Sequence, residues 1–126
     1  MTTATSIQTK LYIDGKWCDA LDGKTHAVIN PATEEVLWEV AYGSRAETKL
    51  ALEAAAKAMP GWQKLTSWDR AKILKKTADL MRERADAIAR VMTMEQGKPV
   101  VEAKAEVMHS ADTFEWFAEE GKRAYG

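Results

Sequence analysis

Four side chains in this sequence have the chemistry to attract attention: one thiol, two imidazoles and one badly placed carboxylate. Cys18 is the only cysteine, which excludes an internal disulfide and a cysteine-based zinc site. As a nucleophile it would need a base or a helix N-terminus to form thiolate. Its neighbours are Trp17 and Asp19, and the Asp19 charge opposes ionisation, so Cys18 reads as structural. His26 and His109 stand too far apart for a local metal motif. His26 reads as a strand-surface residue. His109 follows Met108 near an apolar stripe and reads as a hydrogen-bonded interior histidine in preference to a pocket liner. Glu95 falls in the last turn of an expected helix, where a negative charge opposes the macrodipole. A compensating cation is therefore expected. Lys98 is the plain candidate, and a hard cation held by the carboxylate and backbone carbonyls is the sharper one. The 7 glycines are scattered singly, so no glycine-rich phosphate loop exists. No nucleophile stands with a base, and no catalytic centre emerges.

The elements that carry these residues are legible. Leu74, Ala78, Met81, Ala85, Ile88 and Met92 form one stripe of helical period, and Val100, Ala103, Val107, Ala111, Phe114 and Ala118 form a second. Between them lies Glu95-Gln96-Gly97-Lys98-Pro99. Gly97 suits the left-handed residue that ends a helix, and Pro99 the first turn of the next. Upstream, Ser44 and Glu47 have capping-box spacing ahead of an alanine-rich helix. Leu50, Ala51, Ala54, Ala55 and Ala58 are its expected buried side, and Pro60-Gly61 its expected end. Ser67 is the expected cap of the following helix, with Asp69 in the favourable first turn. Before residue 44 the pattern is β. Asp14-Gly15 favours a type I′ hairpin turn, Asp22-Gly23 marks another turn, and Asn30-Pro31 a third. Residues 35–41 alternate Val36, Trp38 and Val40 against Leu37, Glu39 and Ala41 and so are apolar on both faces, which predicts a strand covered on both sides. The fold class is thus α+β: a short antiparallel β-meander over 11–41, then three helices over 45–59, 67–95 and 99–124. Residues 1–10 read as a flexible arm and 11–126 as the folded part.

A chain of 126 residues fits one domain able to bury roughly two-thirds of its unfolded surface. Formal net charge is −1, which favours neither nucleic acid nor an anionic membrane. The charge is uneven: residues 1–43 carry −3, 44–99 carry +5 and 100–126 carry −3. The basic helix offers Arg70, Lys72, Lys75, Lys76, Arg82 and Arg84, but Asp69, Asp79, Glu83 and Asp86 interrupt it, as on a solvated face. No nucleic-acid or membrane partner is expected. The N-terminus lacks a signal-peptide core and no apolar run reaches transmembrane length, so the cytoplasm is the expected location.

Certain residues also carry a resemblance. Trp17, Asn30-Pro31-Ala32-Thr33 with Glu35-Val36, Glu95-Gln96-Gly97-Lys98-Pro99 with Glu102-Ala103-Lys104, and the run Phe114 to Arg123 together resemble the N-terminal part of NAD(P)-dependent aldehyde dehydrogenases. The likeness is to the succinate-semialdehyde and glutarate-semialdehyde enzymes in particular, and covers residues 11–126. It implies oxidation of a semialdehyde to its carboxylate by thiolate attack, hydride transfer to NAD(P)+ and thioester hydrolysis. It also implies that the family's nucleophilic Cys, general-base Glu and ribose-binding residues lie beyond Gly126. Cys18 does not match the nucleophile's motif. By the same resemblance, a structural Na+ or K+ is held through the Ile29 carbonyl and Glu95, and His109, Ser110 and Phe114 line the aldehyde tunnel. This segment by itself is expected to bind no NAD(P), to be inactive, and to associate with the remainder of an aldehyde dehydrogenase chain or with itself. The competing expectation is a non-catalytic helical module for interaction or oligomerisation.

Overall fold

The computed structural model describes residues 7–124. It has four short strands, β1 (Leu11–Ile13), β2 (Lys16–Cys18), β3 (Thr25–Ile29) and β4 (Val36–Ala41), then four helices, α1 (Arg45–Lys64), α2 (Ser67–Glu83), α3 (Ala85–Gln96) and α4 (Val100–Glu120). The chain divides into two compact units, residues 1–60 and 61–126, and the boundary falls within α1 at Pro60. Of the arm expected over 1–10, residues 1–6 lie outside the described part. Within it, Thr9 O accepts from Ala41 N at 2.8 Å.

In the first unit, turn chemistry sets the register. Asp14 and Gly15 have φ of 49° and 78°, the paired positive values of a type I′ turn, whose twist matches that of the strands it joins. Leu11 therefore faces Cys18, and Ile13 faces Lys16. Asn30 builds the next reversal: its carbonyl accepts from Glu34 N at 2.8 Å, and its side-chain oxygen accepts from Ala32 N at 2.9 Å. β3 and β4 pair antiparallel across this turn, with an irregularity at Val28/Ile29. The strands do not form one meander. They make two separate two-stranded sheets, β1-β2 and β3-β4. Within this segment β4 is not covered on both faces: Val36 and Glu39 are exposed and the rest half-buried.

α1 begins as its capping box requires and then outruns its expected end. Pro60 lies inside the helix, which continues to Lys64. Proline removes one backbone donor, but the following residues still close a last turn, and Lys64 suits the C-terminal dipole. Of the expected alanine face only Ala54 is half-buried, and Glu47 is the buried residue of this helix. Alanine spacing announces a surface fit for close packing, and burial needs a partner laid over it.

The second unit is a helical hairpin. The expected single helix over 67–95 is interrupted at Arg84, whose φ of −100° and ψ of 9° leave the helical well. The defect is one residue wide: Arg84 N donates to Leu80 O at 3.1 Å, and Ile88 N donates to Arg84 O at 3.0 Å. The apolar stripe therefore runs on across it, with Ala78, Ala85 and Ala89 buried. The N-cap of α2 is Thr66 and not Ser67. Its hydroxyl accepts from Asp69 N at 3.1 Å and donates to the Asp69 carboxylate at 2.7 Å. Gly97 ends α3 at φ 77°, its N–H donating to Thr93 O at 2.8 Å, which is the left-handed cap its lack of a Cβ permits. Pro99 occupies the N-cap position, and its carbonyl accepts from Ala103 N at 3.0 Å. α4 folds back on α2 and α3 through Ala103, Val107, Ala111 and Ala118, all buried. Small residues at this seam let the helix axes approach closely. α4 stops at Glu120, short of the expected 124. Lys122 and Arg123 bond three residues back to the carbonyls of Glu119 and Glu120, which tightens the final turn.

Candidate functional site

Glu47 holds the most developed polar cluster of the first unit. It is 3% exposed. Its Oε2 accepts from Ser44 N at 2.7 Å and from the Ser44 hydroxyl, while its Oε1 accepts from Leu21 N at 2.7 Å. The Ser44 hydroxyl in turn accepts from Ala46 N at 3.1 Å. The carboxylate thus caps α1 and anchors the Asp22-Gly23 turn. The Ser44 hydroxyl foremost, then the backbone N–H groups of Leu21, Glu47 and Ser44, favour its ionised form and lower its pKa from 4.5 to about 2. The box was readable from Ser44 and Glu47. The bond to Leu21, 26 residues away, left no signal beyond an acid near a turn. A depression of about 770 Å³ beside it is lined by Ser44, Arg45, Ala46, Thr48, Lys49 and Leu52. With a carboxylate already on its first turn, this helix start does not suit a phosphate.

Cys18 is half-buried at the end of β2, opposite Leu11. His26 is exposed on β3, its ring 5.6 Å from that of Tyr42, as a strand-surface residue should be. Ile29 ends β3 and is exposed.

In the second unit Glu95 lies in the last turn of α3, at a depression of about 350 Å³ lined also by Ile88, Val91, Met92 and Gln96. Lys98 does not compensate it. Its ammonium pairs with Glu106 in the second turn of α4. Among the described residues no cluster of three or more His, Cys, Asp or Glu stands ready for a metal. The lining of this depression offers a cation one carboxylate and one side-chain amide, so further oxygens would have to come from backbone carbonyls.

His109, Ser110 and Phe114 all lie on α4 and all are exposed. The expectation of an interior histidine is overturned: at 100° per residue His109 falls far from the Ala103, Val107 and Ala111 seam that α4 buries. Its carbonyl accepts from the Thr113 hydroxyl at 3.0 Å. Ser110 and Phe114 are one turn apart on one flank, and His109 is set off by about 100°. Among the described residues no side-chain hydrogen bond joins either histidine or Cys18 to an acid, so no nucleophile–base pair is formed.

The sequence model of the aldehyde dehydrogenase family matches residues 17–126. The chain belongs to the aldehyde dehydrogenase family. It is 51% identical over 115 residues to glutarate-semialdehyde dehydrogenase of Pseudomonas aeruginosa, covering 91% of this chain and 24% of that one. It is 48% identical over 114 residues to an NADP(+) succinate-semialdehyde dehydrogenase of Escherichia coli, covering 90% and 24% respectively. The crystal structure of succinate-semialdehyde dehydrogenase from Burkholderia pseudomallei superposes with a TM-score of 0.94 at 43% identity, over 100% of this chain and 26% of that one. The chain therefore spans about a quarter of the length of these aldehyde dehydrogenases, and its fold is the N-terminal part of theirs. Among the described residues no helix is long and apolar enough to cross a membrane.

Proposed function

We propose that this chain is the N-terminal supporting segment of a semialdehyde dehydrogenase, in which an aldehyde of the succinate- or glutarate-semialdehyde class is oxidised to its carboxylate with reduction of NAD(P)+. The 51% identity to a glutarate-semialdehyde dehydrogenase over 91% of the chain carries this reading. When bound, the nicotinamide cofactor supplies the hydride acceptor. The residues of this chain supply walls and supports. His109, Ser110 and Phe114 on α4 line the approach of the aldehyde, and Glu95 with the Ile29 carbonyl holds a structural Na+ or K+. By itself the segment turns over no aldehyde, for among its described residues no nucleophile is paired with a base.

The test is a chimera in which residues 1–126 replace the corresponding quarter of the P. aeruginosa enzyme. The chimera should oxidise succinate or glutarate semialdehyde with NAD(P)+, and the 126-residue chain should not. A folded chimera without semialdehyde oxidation overturns the parent activity, and turnover by the chain alone overturns the supporting role. In the chimera, Phe114→Ala should change KM for the aldehyde and leave KM for NAD(P)+ unaltered. Glu95→Gln should remove any gain in Tm from added Na+ or K+.

A further inference from the structure

The helices that hold α4 differ in how they are joined to it. α4 follows α3 through the short turn at Gly97, so that loop itself fixes their register. α2 packs on α4 with no loop between them, and the break at Arg84 parts it from α3. The seam the two share is smooth. α2 contributes Ala71 and Ala78, and α4 contributes Ala103, Val107, Ala111 and Ala118. Single methyl groups make shallow ridges, which set how closely two helices approach more firmly than where one stops along the other.

Charge supplies the missing stop. Arg82 Nη2 donates to Asp112 Oδ1 at 2.7 Å and to Glu115 Oε2 at 2.6 Å. Lys75, two turns earlier on α2, meets the other oxygen of Glu115 at 2.7 Å. Asp79 lies between these two cations and braces both, 3.1 Å from the Lys75 ammonium and 3.8 Å from the Arg82 guanidinium. Lys75 foremost, then Arg82, hold the Glu115 carboxyl below its ordinary pKa, so the network is charged at neutral pH. Asp112 and Glu115 flank Phe114 in the chain. A slip of α4 by one turn, about 5.4 Å, cannot keep Arg82 on both carboxylates, and it carries Phe114 the same distance.

We infer that Arg82 is a positioning residue for the aldehyde: its grip on Asp112 and Glu115 sets the register of α4 on α2, and with it the place of Phe114. This role rests on the reading of Phe114 above as part of the aldehyde's approach. Because the pairs are solvated they add little to stability. What they determine is position, and a shift of about 1 Å far from the reacting atoms can cost on the order of 100-fold in rate.

The test is steady-state kinetics on the chimera described above. Arg82→Met should raise KM for succinate semialdehyde roughly fivefold and leave KM for NAD(P)+ unaltered. Arg82→Lys keeps the charge without the planar fork and should fall between; it carries the test if Arg82→Met yields no folded chimera. Added to Phe114→Ala, Arg82→Met should change the aldehyde KM no further, because both act through one side chain. Lys72→Met removes an ion pair within α2, to Asp69, and should leave the aldehyde KM unchanged. An unaltered KM in Arg82→Met beside a changed one in Phe114→Ala overturns the inference and spares the role of Phe114. Unaltered values in both variants remove the two together, as does a folded chimera that oxidises no semialdehyde. Effects of Arg82→Met and Phe114→Ala that simply add, or a loss in Lys72→Met as large as that in Arg82→Met, reduce Arg82 to one surface charge among many.

Discussion

The two units of this chain are held by different forces. Among the described residues of the first, Ala20 is the one buried apolar side chain, and Glu47 is the buried charge. That unit relies on turn geometry and on one carboxylate that joins the start of α1 to Leu21. The second unit buries Ala71, Ala78, Ala85, Ala89, Ala103, Val107, Ala111 and Ala118 along one seam. Its fit is a matter of volume, and its charged edge adds little stability to a packed interface. One unit should therefore fail through chemistry at a single group, and the other through a change of shape.

Overfilling the seam should have the largest effect. Ala111→Leu places three extra carbons at a fully buried position and should destabilise the hairpin by about 1–3 kcal/mol or more, read by urea denaturation. If Ala111→Leu is neutral, the seam is looser than its burial indicates.

Next in size is the latch of the first unit. Glu47→Gln keeps the shape but turns a pure acceptor into a group with two donors, one of which must confront Ser44 N–H or Leu21 N–H. Tm should fall by roughly 5 °C, and amide exchange at Leu21 should accelerate while the hairpin amides stay protected. Uniform acceleration across both units would show that Glu47 supports the hairpin as well as the first unit.

Acid should act on the same group. The folded state favours ionised Glu47, so its stabilisation is complete above the ordinary pKa of 4.5 and is lost as pH falls toward about 2. Between those limits the Glu47→Gln variant should lose less stability than the parent, a difference that acid titration followed by circular dichroism measures.

The smallest effect belongs to the charged edge. Arg82→Met removes the pairs to Asp112 and Glu115 but leaves the methylene packing. Because these groups are solvated, Tm should shift by roughly 2 °C or less, and less again in high salt. A larger loss would make the network part of what holds the hairpin.

What could be read in advance follows from range. Asp14-Gly15, Asn30-Pro31, the Ser44–Glu47 box and Gly97 act over two to five residues, and each is found at its expected place. Glu95 stands out on a local dipole argument, but of the two cations that argument offers, Lys98 is engaged elsewhere. Lys98 chose Glu106, a residue that nears it only once α4 has turned away from α3. Met108 beside it suggests an interior His109, but one step along a helix is a 100° rotation that carries His109 out to solvent.

Legible in the residues alone were the order of strands and helices, the Ser44–Glu47 and Gly97 caps, the stripe that becomes the seam and the family to which the chain belongs. All of these are written in short spacings or in residue identity. Tertiary structure decided that the strands split into two sheets and that Glu47 reaches Leu21. It also decided which flank of the hairpin is closed by ion pairs. Those outcomes depend on contacts between residues distant in the chain, whose strength is set by geometry that no local pattern encodes.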